Sequence, residues 1–119
     1  MRRGRIDLLR LRQLLDEGAL LLDVRTPGEF DRGHIPGARN VPVAELGKSA
    51  DLQAEAQRPV VVYCHSGARS ALAARQLRRL GRTHVYDFGS VERWTGPLER
   101  TPPPAPEPSD EPAATAAMD

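Results

Sequence analysis

Cysteine occurs once in this chain of 119 residues, at Cys64. One thiol excludes an internal disulfide, a zinc site built from several thiolates and an internal resolving cysteine, so any two-thiol redox cycle needs a partner molecule. Lysine also occurs once, at Lys48, and the only aromatic residues are Phe30, Tyr63, Tyr86, Phe88 and Trp94. Arg2, Arg3, Arg5, Arg10 and Arg12 crowd the N-terminus, yet arginines are scattered throughout and no aromatic stacking platform accompanies them. Biased arginine usage therefore accounts for that charge better than nucleic-acid binding does. No segment approaches the ~18 apolar residues of a membrane span, and the first twenty residues alternate charge with leucine, without the continuous apolar stretch of a signal peptide. A reducing cytoplasm is the expected compartment.

The length fits one domain with a core of moderate size. Composition shifts near Arg100: residues 101–119 hold six of the eleven prolines and four acids, with no base and no aromatic residue. Such a segment buries too little apolar surface to offset its ordering entropy, so a folded domain over 1–100 and a disordered Pro-rich acidic tail over 101–119 are expected. The tail's Thr101-Pro102-Pro103-Pro104-Ala105-Pro106 run favours polyproline conformation and reads either as a docking segment or as a passive end. Setting the tail aside leaves 17 bases against 12 acids, about +5, although the whole chain is +1. A basic body suits an anionic substrate or an acidic partner.

Asp7 caps a helix whose Leu8, Leu11, Leu14 and Leu15 share one face, with Gly18 at its end, and Ile6 before it suits a short strand. Ala19 to Val24 reads as a buried strand, and Thr26-Pro27 opens a short helix that Gly33 stops. Residues 34–42 read as a turn and a short strand, followed by a helical turn over 43–46 and a helix near 51–57. Val60 to Tyr63 is a strand, about Ser70 to Leu80 a helix ended by Gly81, Val85 to Phe88 a strand and Val91 to Thr95 a short helix. Strands alternating with helices predict a mainly parallel, three-layer α/β domain.

Cys64 falls at the strand-to-helix turn Cys64-His65-Ser66-Gly67-Ala68-Arg69-Ser70. Amides of a tight loop and of a first helical turn point inward without helical partners, and the helix N-terminus adds partial positive charge, so the turn is an anion cradle around a nucleophilic sulfur. Gly67 is the natural position for a positive φ. Arg69 offers a planar fork to a bound oxyanion or to an internal carboxylate that braces the loop. Ser66 and Ser70 can give hydroxyls to the sulfur or cap the helix, with capping favoured for Ser70. His65 reads as a solvent-facing residue that sets local charge. Asp23, at another strand's C-terminal end, suits structural support through backbone N–H groups or an arginine. Arg25 and Glu29 are spaced as an ion pair. His34 precedes a Pro-Gly turn and suits a backbone hydrogen bond there, and Trp94 reads as a pocket wall or as core.

Together Asp23-Val24-Arg25, Glu29-Phe30, Gly33-His34-Ile35-Pro36-Gly37-Ala38, Asn40-Val41-Pro42, the Cys64–Ser70 loop and the stretch from Gly89 to Trp94 resemble a single-domain rhodanese over roughly residues 6–98. The resemblance implies a rhodanese-like fold with a five-stranded, mainly parallel sheet flanked by helices. It also implies sulfur transfer through a persulfide on Cys64: from thiosulfate or another sulfane donor to cyanide or a thiol acceptor, with a protein partner possible in a sulfur relay. No metal or organic cofactor is implied. The substrate-holding residues would be His65, Ser66, Gly67, Ala68, Arg69 and Ser70, supported by Asp23, Arg25, His34 and Trp94. Two rivals share features of this loop. A cysteine-dependent phosphatase or arsenate reductase needs five residues between cysteine and arginine, whereas four stand between Cys64 and Arg69. A non-catalytic binding or regulatory module on the same fold would have no need of the cysteine that this chain keeps.

Overall fold

A computed structural model describes residues 4–49, 52–53 and 57–101. The expected helix over 51–57 and the tail beyond Thr101 lie largely or wholly outside them. In chain order the elements are α1 (Leu8–Asp16), β1 (Leu20–Asp23), α2 (Pro27–Arg32), β2 (Arg39–Asn40), a 3-10 segment (Val43–Lys48), β3 (Val60–Cys64), α3 (Ala68–Arg79), β4 (Val85–Ser90) and a second 3-10 turn (Val91–Arg93). Asp7 caps α1 by accepting the Arg10 N–H at 2.8 Å. Thr26 and Glu29 form a reciprocal capping box on α2, and Pro27 supplies a preset φ at its first position.

The described strands make one sheet in the order β2-β1-β3-β4, every pair parallel. Side chains alternate across it, as the period of a strand requires. Leu20, Leu22, Val60, Val62 and Cys64 join Ala73, Ala74 and Leu77 of α3 on one face. Leu21, Val61, Tyr63 and Phe88 join Leu11 and Leu14 of α1 on the other. This is the expected three-layer arrangement, and the continuous apolar strands are what burial on both faces demands. Among the described residues the sheet has four strands rather than five. The position for the fifth lies beside β4, where the Ile6 N–H donates to Asp87 O at 2.9 Å. On the C-terminal side of Ile6 the chain leaves the strand path at once, because Asp7 caps α1.

Two details of the sheet place the chemistry. From β1 the chain crosses outward to β2, whereas from β3 it crosses the other way to β4, so the connections diverge between β1 and β3. That crevice, beyond the C-terminal ends of parallel strands, is where open α/β sheets bind ligands. Asp23 pairs in register with Tyr63 there, one residue before Cys64. Secondly, the β3–β4 register slips between Val62 and Tyr63, pairing Val62 with Asp87 but Tyr63 with Gly89. The bulge carries Gly89 at φ +88° and turns the end of β4 across the cysteine loop. Among the described residues no helix is long and apolar enough to cross a membrane.

Candidate active site

Cys64 is the last residue of β3 and is wholly buried as a free thiol. Two backbone donors converge on its sulfur: the Gly67 N–H at 2.9 Å and the Ser70 N–H at 3.3 Å. Gly67 makes this possible by adopting φ +100°, ψ −14°, a left-handed conformation open to glycine at little cost. That turn starts α3 at Ala68, two residues before the expected start, and aims the helix N-terminus at Sγ. Ser70 therefore lies inside the first turn rather than at the cap. Its hydroxyl donates to Gly67 O at 3.0 Å, which corrects the capping role expected for it. Ser66 and Ala68 are exposed on the loop.

Arg69 turns away from the loop centre. Its guanidinium donates to both oxygens of Glu29, at 2.8 and 3.0 Å. The Glu29 carboxylate also accepts the Thr26 N–H at 3.0 Å, so one side chain caps α2 and ties it to α3. The hydrogen bond from Arg69 is the largest influence on Glu29; aided by the Thr26 N–H and opposed by burial, it holds the carboxyl at about 2. The Arg69 guanidinium is correspondingly raised by the same partner. The expected Arg25–Glu29 ion pair is not the one that forms. Arg25 instead grips Asp23, its Nε donating to Oδ1 at 2.9 Å and its Nη2 to Oδ2 at 2.6 Å, and Nη2 also donates to Gly33 O at 2.7 Å. Asp23 and Arg25 are two apart on an extended chain and so face the same side, while Glu29 is held by the cap and by Arg69. Burial works against the Arg25 charge, but the hydrogen bonds and charge of Asp23 outweigh it and raise the guanidinium.

His65 is 57 % exposed, with Nε2 3.2 Å from a Glu92 carboxylate oxygen. His34 does not bond to the Pro36-Gly37 turn. Its Nδ1 pairs with Phe30 O at 2.9 Å, its ring stacks on Phe30 at 3.7 Å, and its backbone bridges Glu99. Trp94 packs, partly buried, against the cluster on the α1 face, its ring under the Arg12 guanidinium and its Nε1–H donating to Pro97 O, and it is not in the lining of the cavity beside His65. Beside the cysteine loop a cavity of ≈ 310 Å³ runs from His65 past Val91 to Glu29 and Arg32; the buried Cys64 is not in its lining. A larger cavity of ≈ 420 Å³ between Leu46, Leu77 and Arg82 has no residue of the cysteine loop in its lining. Among the described residues no group of His, Cys, Asp and Glu side chains is disposed to hold a metal ion.

Three contributors escaped the sequence reading. Asn40 donates to both Asp23 O and Arg25 O, pinning the loop after β1. Tyr63, the residue before Cys64, accepts the Ile35 N–H at 3.0 Å; burial, then the neighbouring Asp23 charge, pushes its phenol far above the ordinary range. Arg5 lies against Gly67 and Gly89. Asn40 and Tyr63 carry a faint signal, since each is a polar atom in an apolar strand context. Arg5 carries none, being about sixty residues from the cysteine and one of many arginines.

The rhodanese-like domain model matches residues 7–96, most of the chain. An uncharacterized Bacillus subtilis protein, YqhL, is 42 % identical over 82 residues, a region covering 68 % of this chain and 64 % of that protein. The thiosulfate sulfurtransferase GlpE of Pseudomonas aeruginosa is 39 % identical over 88 residues, covering 71 % and 76 %. Among solved structures, the human single-domain sulfurtransferase TSTD1 superposes with a TM-score of 0.67 at 34 % identity, covering 76 % of this chain and 93 % of that one. A parallel sheet whose central strand delivers a buried cysteine to an amide-lined turn, with these relatives, places the chain in the rhodanese-like family.

Proposed function

We propose that this protein is a sulfurtransferase that carries sulfane sulfur as a persulfide on Cys64, taking it from thiosulfate or a persulfide donor. The observation that carries the reading is the convergence of the Gly67 and Ser70 amides on Sγ. Donors fixed around a sulfur stabilise the anion before, during and after transfer without reorganising. The Cys64 thiolate attacks the outer sulfur of thiosulfate; a Cys64 S–S bond forms, the donor's S–S bond breaks, and sulfite leaves with the electron pair. Cyanide or a thiolate then attacks the outer persulfide sulfur, and the electron pair of the breaking bond returns to Cys64. Thiocyanate or a new persulfide is the product, and no net redox change accumulates on the protein. A protein thiol in a sulfur relay is an acceptor of the same chemistry.

The supporting residues act through shape. Asp23, Arg25 and Asn40 hold the loop beyond β1, and Arg69 braces the cysteine loop against Glu29. Arg69's commitment to Glu29 also separates this site from phosphatase chemistry, which needs the loop arginine facing the bound oxyanion. Thiocyanate formation from thiosulfate and cyanide tests the reading: the wild type turns over and Cys64→Ser does not. Turnover by the serine variant, or cysteine-dependent hydrolysis of an aryl phosphate in place of sulfur transfer, overturns it.

A further inference from the structure

Several cations around the cysteine loop are paired: Arg25 is held by Asp23 and Gly33 O, Arg69 by Glu29, and His65 faces Glu92. Arg32, in the lining of the cavity beside His65, and Arg5 are both exposed and have no hydrogen bond or ion pair to another described residue; of the two, Arg5 is the one that lies against Gly67. Its side chain nevertheless has a defined seat. A Cβ placed on Gly67 would stand 2.1 Å from Arg5 Nη2, and one on Gly89 would stand 2.7 Å from Arg5 Cδ. The guanidinium thus lies on the bare Cα of Gly67, and the aliphatic stem on the bare Cα of Gly89. Both glycines are buried, come from different segments and have positive φ. Gly67 is also the residue whose N–H meets the sulfur at 2.9 Å. Standard bond lengths then put Nη2 within about 8 Å of Sγ, inside one Debye length at physiological salt.

We propose that Arg5 is the docking cation for the anionic sulfur donor, an unneutralised guanidinium seated beside the Cys64 loop that draws small oxyanion-bearing reagents to the sulfur. The inference deepens the sulfur-transfer reading by naming what selects the donor, and its physical basis is independent of that reading. A planar fork with free N–H groups matches a sulfonate, and the two glycines leave room for it to lie flat. Arg5 makes no contact with Sγ itself, so it is a positioning residue that acts on the donor.

The test uses the full chain as wild type, Arg5→Gln, Arg5→Lys and Arg79→Gln, the last removing a charge at the far end of α3. Cys64 is alkylated with anionic iodoacetate and with neutral iodoacetamide, and the two rates are read by intact mass. Arg5→Gln is expected to lower the iodoacetate-to-iodoacetamide rate ratio about three- to tenfold, with the difference fading as salt rises. Arg5→Lys and Arg79→Gln keep the wild-type ratio. In turnover, Arg5→Gln raises the thiosulfate KM by a similar factor with little change in kcat. A merely structural role would slow both alkylating reagents together. An unchanged ratio with an unchanged thiosulfate KM, or an equal fall in Arg79→Gln, overturns the proposal. A fallen ratio in a protein that accepts no sulfur upholds the docking cation and rejects the sulfurtransferase instead.

Discussion

Glu29 serves two elements with one carboxylate, capping α2 through Thr26 and clamping Arg69 beside the cysteine loop. Because its carboxyl is held at about 2 in the fold against an ordinary 4.5, its contribution is complete above pH ~4.5 and is lost as pH falls through about 2. The pair is partly exposed, so Glu29→Gln is expected to cost on the order of 0.5–1 kcal/mol at neutral pH. Urea unfolding from pH 7 down to 2 checks this, and the gap between wild type and variant closes only in the acid window. Asp23 is the opposite case, fully buried under a nearly buried Arg25. Asp23→Ala leaves that guanidinium without its anion in the interior and is expected to cost about 3–5 kcal/mol by chemical denaturation. At this scale the sequence was legible wherever a role depends on neighbours along the chain: the Asp7 cap, the helix start at Thr26-Pro27 and the support Asp23 draws from an arginine. It misassigned Arg25 because helical spacing suggested Glu29, while the extended backbone of the loop put Asp23 on the same side.

At the scale of elements, the strand–turn–helix around Cys64 was visible from four β-prone residues followed by a glycine-bearing turn. The helix start was not, since it depends on Gly67 taking a positive φ that composition permits but does not impose. Gly67→Ala forces a Cβ into that conformation and into the space of the Arg5 guanidinium. A loss of about 1–2 kcal/mol in thermal unfolding is expected, together with slower sulfur transfer, because the Gly67 N–H shifts from the sulfur. Adding Arg5→Ala relieves the crowding but not the backbone strain, so the double variant recovers only part of the stability. The bulge in β4 had no sequence signal beyond Gly89 itself. It brings Gly89 to the site from a strand that periodicity alone ended at Phe88.

For the whole molecule, alternating strands and helices were enough to read a parallel three-layer domain, and linked motifs were enough to read the family. Strand number shows the limit of that reading, with four strands among the described residues where five were expected. Ile6 reaches β4 with one backbone bond, and the helix cap at Asp7 follows at once. At the other end, Glu99 exchanges two backbone bonds with His34 at 2.8 Å, and the Thr101 N–H bonds Asp31 O at 3.0 Å. Truncation after Thr101 is therefore expected to leave the melting temperature within a degree or so of wild type, whereas truncation after Gly96 removes this strap from α2 and lowers it by several degrees. The C-terminal ends of the strands gather parts that only folding unites: the sulfur, the Asp23–Arg25 brace and the Glu29–Arg69 clamp, with the Arg5 seat on Gly67 and Gly89 at the β4 side. What makes the assembly an enzyme in this account is sulfur held covalently on Cys64. The most direct measurement is intact mass after incubation with thiosulfate and then with cyanide, for wild type and Cys64→Ser. The account predicts the gain of one sulfur atom by the wild type, its removal by cyanide, and neither change in the variant; no adduct on the wild type, or an equal one on the variant, would contradict it.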